Sequence, residues 1–160
     1  MTSLRRNEML TLLMSTLLWT LALVAVAATV RSAGFPAEVV EALEASKEIY
    51  VATRRADGTV SKVVPVWFMF DGEAIYFTTE PKSHKARRIG RGSPLYVWVG
   101  RADGPHFVGQ AELVRDPELA GRMAPVYEQK YWIAWMGLFR PRPERVRAGK
   151  TVIVKVKPPA

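Results

Sequence analysis

The sequence predicts a mainly β fold, a closed or split barrel of six short strands with small helices between them. Apolar residues run along six short β-prone segments, several with a clear period of two, and Asp-Gly pairs separate neighbouring segments. No long helix alternates with these segments, which sets the chain apart from a parallel α/β sheet. With 160 residues, 49% of them hydrophobic, it has the length of one domain and enough apolar mass for an ordinary core.

Phe35 and Pro36 open a short amphipathic stretch, AEVVEALEAS, in which Val39, Val40 and Leu43 share a helical face. The run KEIYVATRR, the turn ADG, the run TVSKVVPVWFMF, the turn DG and the run EAIYFTT then read as three antiparallel strands in a meander. PLYVWVG, RADGP and HFVGQAELV form a further hairpin, with Leu95, Val97 and Val99 alternating against Tyr96 and Trp98. Asp116 and Pro117 mark a helix start, as cap and first residue, and apolar spacing continues to about Trp135. TVIVKVK is the sixth strand.

Residues 1–34 stand apart from the domain at 35–160. Met9 to Val30 is an uncharged, mostly apolar run long enough, as a helix, to cross a bilayer. A single N-terminal membrane anchor is the favoured reading. A signal peptide cut after Ala27 is one alternative, and a start codon assigned too far upstream, which would leave the domain cytoplasmic, is another. Arg5 and Arg6 before the run favour a cytoplasmic N-terminus, with Arg31 after it weakening the bias.

The formal net charge of +8 points to an anionic partner: nucleic acid, acidic lipid or a phosphorylated small molecule. Without cysteine there is no thiolate nucleophile and no Cys-ligated zinc, and with His84 and His106 as the two imidazoles no metal site is expected. The charge concentrates in FTTEPKSHKARRIG. From Lys82 to Arg101 six cations occur with no acid among them. If Ser83 caps a short helix, its hydroxyl and the first free N–H groups, with Lys82 and Lys85 beside them, form a phosphate site. Thr78 and Thr79 end the preceding strand and add hydroxyl donors. A solvated basic helix is the bland alternative, but two Thr hydroxyls, a capping Ser and two lysines at one junction exceed what solubility requires. Nucleic acid is disfavoured because the aromatics follow strand alternation rather than forming a stacking groove.

The segments VATRRADGTVSKVVPVWFMFDGEAIYFTTEPKSHKARRI and HFVGQAELVRD resemble the pyridoxamine 5′-phosphate oxidase-like family of flavin and deazaflavin oxidoreductases. The resemblance spans about Pro36 to Val156. It implies a six-stranded split barrel that forms a homodimer, with FMN or coenzyme F420 at the subunit interface. By the same resemblance Lys85 grips the cofactor phosphate with Ser83 and Thr79 beside it, and Val64, Pro65, Val66, Trp67 and Phe68 lie along the ring. His84 stands where the FMN oxidases often carry Arg, and the Arg those enzymes place early in their second strand falls near Val63, with Lys62 the nearby cation. The form PVWF and the short C-terminus resemble the deazaflavin-dependent branch, so F420 is the first choice and FMN the second. Lys82, Thr78 and Arg88 complete the expected cofactor contacts, with Arg87 and Arg91 as further cations for an acidic tail.

The implied activity is hydride transfer between the bound ring and a small conjugated substrate, for which no Ser, Cys or carboxylate machinery is needed. A barrel that holds flavin or haem without turnover, with His84 or His106 as haem ligand, is the rival reading. In YEQKYWIAWMGLF, Tyr127, Tyr131, Trp135 and Phe139 recur four apart. Packing against the barrel is the favoured role, ahead of a substrate wall or a lipid-facing patch beside RPRPERVRAGK.

Overall fold

A computed structural model describes residues 34–158. The expected anchor or signal segment at 9–30 lies outside them, and among the described residues no helix is long and apolar enough to cross a membrane. Helix α1 spans Ala37–Ala45, followed by strands β1 (Glu48–Thr53), β2 (Val64–Trp67), β3 (Met69–Phe70) and β4 (Ile75–Thr79). Helix α2 (His84–Ile89), strands β5 (Leu95–Val99) and β6 (His106–Val114), helices α3 (Pro117–Lys130), α4 (Trp132–Trp135) and α5 (Pro143–Arg147), and strand β7 (Val152–Lys157) complete the described chain.

The sheet order is β2-β1-β5-β6-β7-β4-β3, all pairs antiparallel. Its two edge strands, β2 and β3, are separated in sequence by Phe68 alone, so the sheet closes on itself as a nearly complete barrel. Strand β6 is the second corner, pairing β5 through residues 106–109 and β7 through 110–114. At that turn Gly109 has no room for a side chain: a Cβ would lie 2.8 Å from the Lys157 carbonyl oxygen and 2.8 Å from Val156.

Seven strands stand where six are predicted, because the run TVSKVVPVWFMF breaks at Phe68. Its first half pairs with β1 and its second half with β4. The break would orphan backbone polar groups, and two tyrosines of the α3 region supply the missing partners. Tyr127 donates its hydroxyl to the Trp67 carbonyl at 2.7 Å. The Tyr131 hydroxyl accepts the Phe68 N–H at 3.0 Å and donates to the Lys47 carbonyl. That task explains the other departure from expectation. The helix predicted to reach about Trp135 stops at Lys130, and Tyr131 has extended backbone at φ −127° and ψ 111°. Its ring turns onto Trp67, with centroids 4.2 Å apart and planes 6° from parallel.

Strand alternation supplies two cores. Ile49, Val51, Ile75, Phe77, Val97 and Val154 face the barrel interior, which α1 plugs with Val39 and Leu43. The opposite face places Tyr76 and Ile153 against Leu119, Met123 and Tyr127 of α3. Asp116 caps α3 by accepting the Glu118 and Leu119 N–H groups, as its sequence predicts. The expected turns also form: Gly58 and Gly72 take φ of +83° and +91°, while Asp57 and Asp71 bind the backbone two residues on.

Candidate functional site

The strand-to-helix junction has the predicted local geometry. Thr79 ends β4, and its Oγ1 lies 3.2 Å from the Ser83 Oγ. Ser83 caps α2, accepting the Ala86 N–H at 3.1 Å. Lys85 then turns back toward β4, its Nζ 5.1 Å from the centre of the Phe77 ring. It is half-buried there and has no ion-pair partner among the described residues. Desolvation lowers its ammonium to about pKa 8.

The other cations of the stretch point elsewhere. His84, Arg87, Arg88 and Arg91 line a cavity of about 310 Å³ together with Arg55. A cavity of about 300 Å³ shares Arg55, Arg88 and Arg91 and adds Arg54 and Ser93. Arg54, Arg55 and Arg88 make their side-chain hydrogen bonds to neutral groups. Arg54 donates to the Tyr96 hydroxyl at 2.7 Å, Arg55 to the Val60 carbonyl at 2.7 Å, and Arg88 to the buried Thr53 hydroxyl at 3.3 Å. Arg87 lies 3.2 Å from the His84 Nδ1. The cleft is therefore strongly positive and without a carboxylate among its lining residues.

Sequence reasoning missed Arg54 and Arg55, which belong to the β1–β2 connection. The signal was present in the pair ATRR, where a strand ends on two cations. Only the fold brings that turn beside α2. A bulge accompanies it: Val51 opposes Val64 while Arg54 opposes Val60, so the second strand carries one extra residue. Lys62 sits in this bulge and is exposed.

The ring strand divides as well. Pro65, Val66 and Trp67 line an apolar cleft of about 380 Å³ whose other walls are Glu48, Ile133 and Phe139. Phe68, 0% exposed, points into the barrel core, and Lys130 Nζ stands 3.3 Å from the centre of its ring. Thr78, on the opposite strand face from Thr79, lines a different cavity with Arg142, Arg145 and Thr151. Lys82 is exposed on the loop before α2.

Of the predicted residues, Thr79, Ser83 and Lys85 thus form a junction, His84 and Arg88 line an arginine cleft beside it in sequence, and Pro65, Val66 and Trp67 line an apolar cleft along β2, while Lys62, Phe68, Thr78 and Lys82 lie outside all three. The family model that matches residues 35–159 is that of pyridoxamine 5′-phosphate oxidase. The chain belongs to this family. No curated protein sequence matches it.

Among solved structures, one described as an F420 reductase is 29% identical, with 75% of this chain and 92% of that chain covered and a TM-score of 0.53. General stress protein 26 from Bacillus anthracis is similar in fold at 18% identity, with 76% and 86% of the two chains covered and a TM-score of 0.56. A haem storage protein from Vibrio cholerae shares the fold at 15% identity, with 79% and 92% covered and a TM-score of 0.52. The same barrel fold thus occurs in a structure described as an F420 reductase and in one described as a haem storage protein.

Proposed function

We propose that this family member is an oxidoreductase that binds a phosphate-bearing redox cofactor, coenzyme F420 in the first place or FMN in the second, and passes hydride to a small conjugated substrate. The observation that carries the proposal is Lys85: a half-buried ammonium with no ion-pair partner among the described residues, two residues from the Ser83 and Thr79 hydroxyl pair. Burying a charge without a partner costs stability, and an anion at this place would offset the cost.

The residues present fit such a ligand. Lys85, Ser83 and Thr79 would hold a phosphate, through one charge-assisted donor and two hydroxyls. Arg55, Arg87, Arg88 and Arg91 offer donors to further acidic groups, and none of them is paired with a carboxylate among the described residues. Pro65, Val66 and Trp67 would lie along the ring, with Ile133 and Phe139 forming a wall that keeps water away. A bound flavin or deazaflavin supplies the two-electron hydride chemistry, so the protein's task is placement, charge and dryness. The 29% identity to the F420 reductase structure supports F420 over FMN.

We propose a homodimer, and an attachment of the chain to the membrane through residues 9–30. Sedimentation of the purified protein tests the first, and fractionation of cells making the full chain tests the second.

The deciding measurement is a titration of the full chain with F420, FMN and haem, followed by fluorescence or absorbance. Tighter binding of F420 than of FMN is the expected result. Binding of FMN alone moves the cofactor to the second choice, binding of haem alone favours storage or carriage, and binding of none removes the oxidoreductase reading.

A further inference from the structure

Residues 132–139 contradict the packing role expected of their aromatics. Tyr127 and Tyr131 are buried as that role requires, yet Trp132, Trp135 and Phe139 are 73%, 75% and 75% exposed. Met136 and Leu138 are exposed beside them. These are five of the seven large exposed hydrophobic residues of the described chain, gathered in eight consecutive positions. A patch this continuous is not ordinary surface, where apolar side chains are scattered singly.

The chain changes character immediately after it. Arg140, Arg142, Arg145 and Arg147 follow within eight residues. Arg140 pairs with Glu128, and Glu144 is the one acid among the four arginines. Behind Phe139 lies a cavity of about 390 Å³ bounded by Thr78, Arg142, Arg145 and Thr151, with no carboxylate on its lining. Arg142 spends one N–H on the Gly137 carbonyl at 2.7 Å, and Arg145 spends its Nε–H on the Thr151 hydroxyl at 3.2 Å. Each guanidinium has five N–H donors, so both keep most of theirs for a ligand.

Exposed tryptophans joined to an arginine-lined anion cavity match a bilayer interface, where indole rings sit at headgroup depth and cations meet acidic phosphates. We propose that residues 132–147 form a docking surface for anionic lipid, with Trp132 and Trp135 seated in the headgroup layer and Arg142, Arg145 and Thr78 receiving a lipid phosphate. Charge decides between this occupant and a second copy of the chain. Two copies meeting through this patch would crowd their arginine clusters together in a protein of net charge +8, whereas an acidic bilayer neutralises them. The proposal does not depend on the identity of the redox cofactor.

The full chain contains no cysteine, so Trp135→Cys can carry a single environment-sensitive fluorophore. Asp103→Cys, in the exposed β5–β6 turn, is the control. The labelled proteins are mixed with vesicles of phosphatidylcholine alone and of phosphatidylcholine with phosphatidylglycerol, with and without brominated acyl chains. The expected result is brighter, blue-shifted and bromine-quenched emission at position 135 with the acidic vesicles, and no change at 103. Adding Arg142→Ala and Arg145→Ala should lower the docked-to-undocked ratio about thirtyfold, each cation near an acidic surface contributing several-fold. A probe at 135 that ignores acidic lipid overturns the proposal, as does one that responds equally to neutral vesicles. A signal already blue-shifted and unchanged by lipid assigns the face to a second copy or to residues 9–30, and also overturns it.

Discussion

Lys85 is where burial, charge and expected ligand meet. Its ammonium is lowered to about 8 from an ordinary 10.5 by desolvation, so between those values the unfolded chain binds more protons than the folded one. Stability of the ligand-free protein should therefore rise from about pH 8 toward 10.5, and thermal melts across that window should show it. Lys130, lowered to about 8 by the same cause, contributes with the same sign, so Lys85→Met should reduce the slope without abolishing it. Cofactor affinity has the opposite dependence. It needs the charged lysine and should fall as pH passes about 8, while at pH 7 Lys85→Met should weaken binding about tenfold to a hundredfold through loss of one charged hydrogen bond. Titrations at two pH values check both. The junction itself was legible because a capping Ser and a strand-ending Thr are local signals. Which of two adjacent threonines joins Ser83 depends on strand parity, and the sequence alone does not number the pleat from its register: Thr79 meets Ser83, and Thr78 faces Arg142 and Arg145.

At the scale of elements, the two barrel corners are held by different means and should fail differently. Gly109→Ala would press a methyl group on the Lys157 carbonyl and on Val156, and should cost about 1–3 kcal/mol in denaturant melts, as overpacking does. Tyr131→Phe removes one oxygen and leaves the Phe68 N–H and the Lys47 carbonyl unpaired, for a loss of about 1–3 kcal/mol. If Tyr131→Phe left stability unchanged, the tyrosine would not be what closes the seam. Six strand segments could be read from alternation and turn residues, as could the pairings across the turns, whereas β1 with β5, β4 with β7 and β6 with β7 pair across connections that no local signal joins. The break at Phe68 could not, since VPVWFMF is uniformly apolar and nothing local marks the point where its partner changes. The early end of α3 has the same origin: the 3.6-residue spacing continues through Tyr131, and only a demand from another element takes that residue out of the helix.

For the whole molecule, the excess of positive charge resolves into places. One is the cleft between the β1–β2 turn and α2, another the arginine-lined cavity behind Phe139. Arg55→Ala with Arg91→Ala should weaken binding of F420, which carries an acidic tail, more than binding of FMN, and parallel titrations read the difference. Equal loss for both ligands would mean the cleft serves the shared phosphate instead. Net charge announced an anionic partner from composition alone, but how it divides is a property of the closed sheet, which brings Arg54 and Arg55 beside residues more than thirty positions away. The closure has a consequence of its own. In a regular ladder the backbone groups of neighbouring strands satisfy one another, whereas at this break the Tyr131 phenol oxygen joins Phe68 to Lys47 and the Tyr127 hydroxyl holds the Trp67 carbonyl. The exposed aromatic segment begins at the very next residue, Trp132, so amide exchange at Phe68 would register any displacement of Tyr131 that binding on that segment produces.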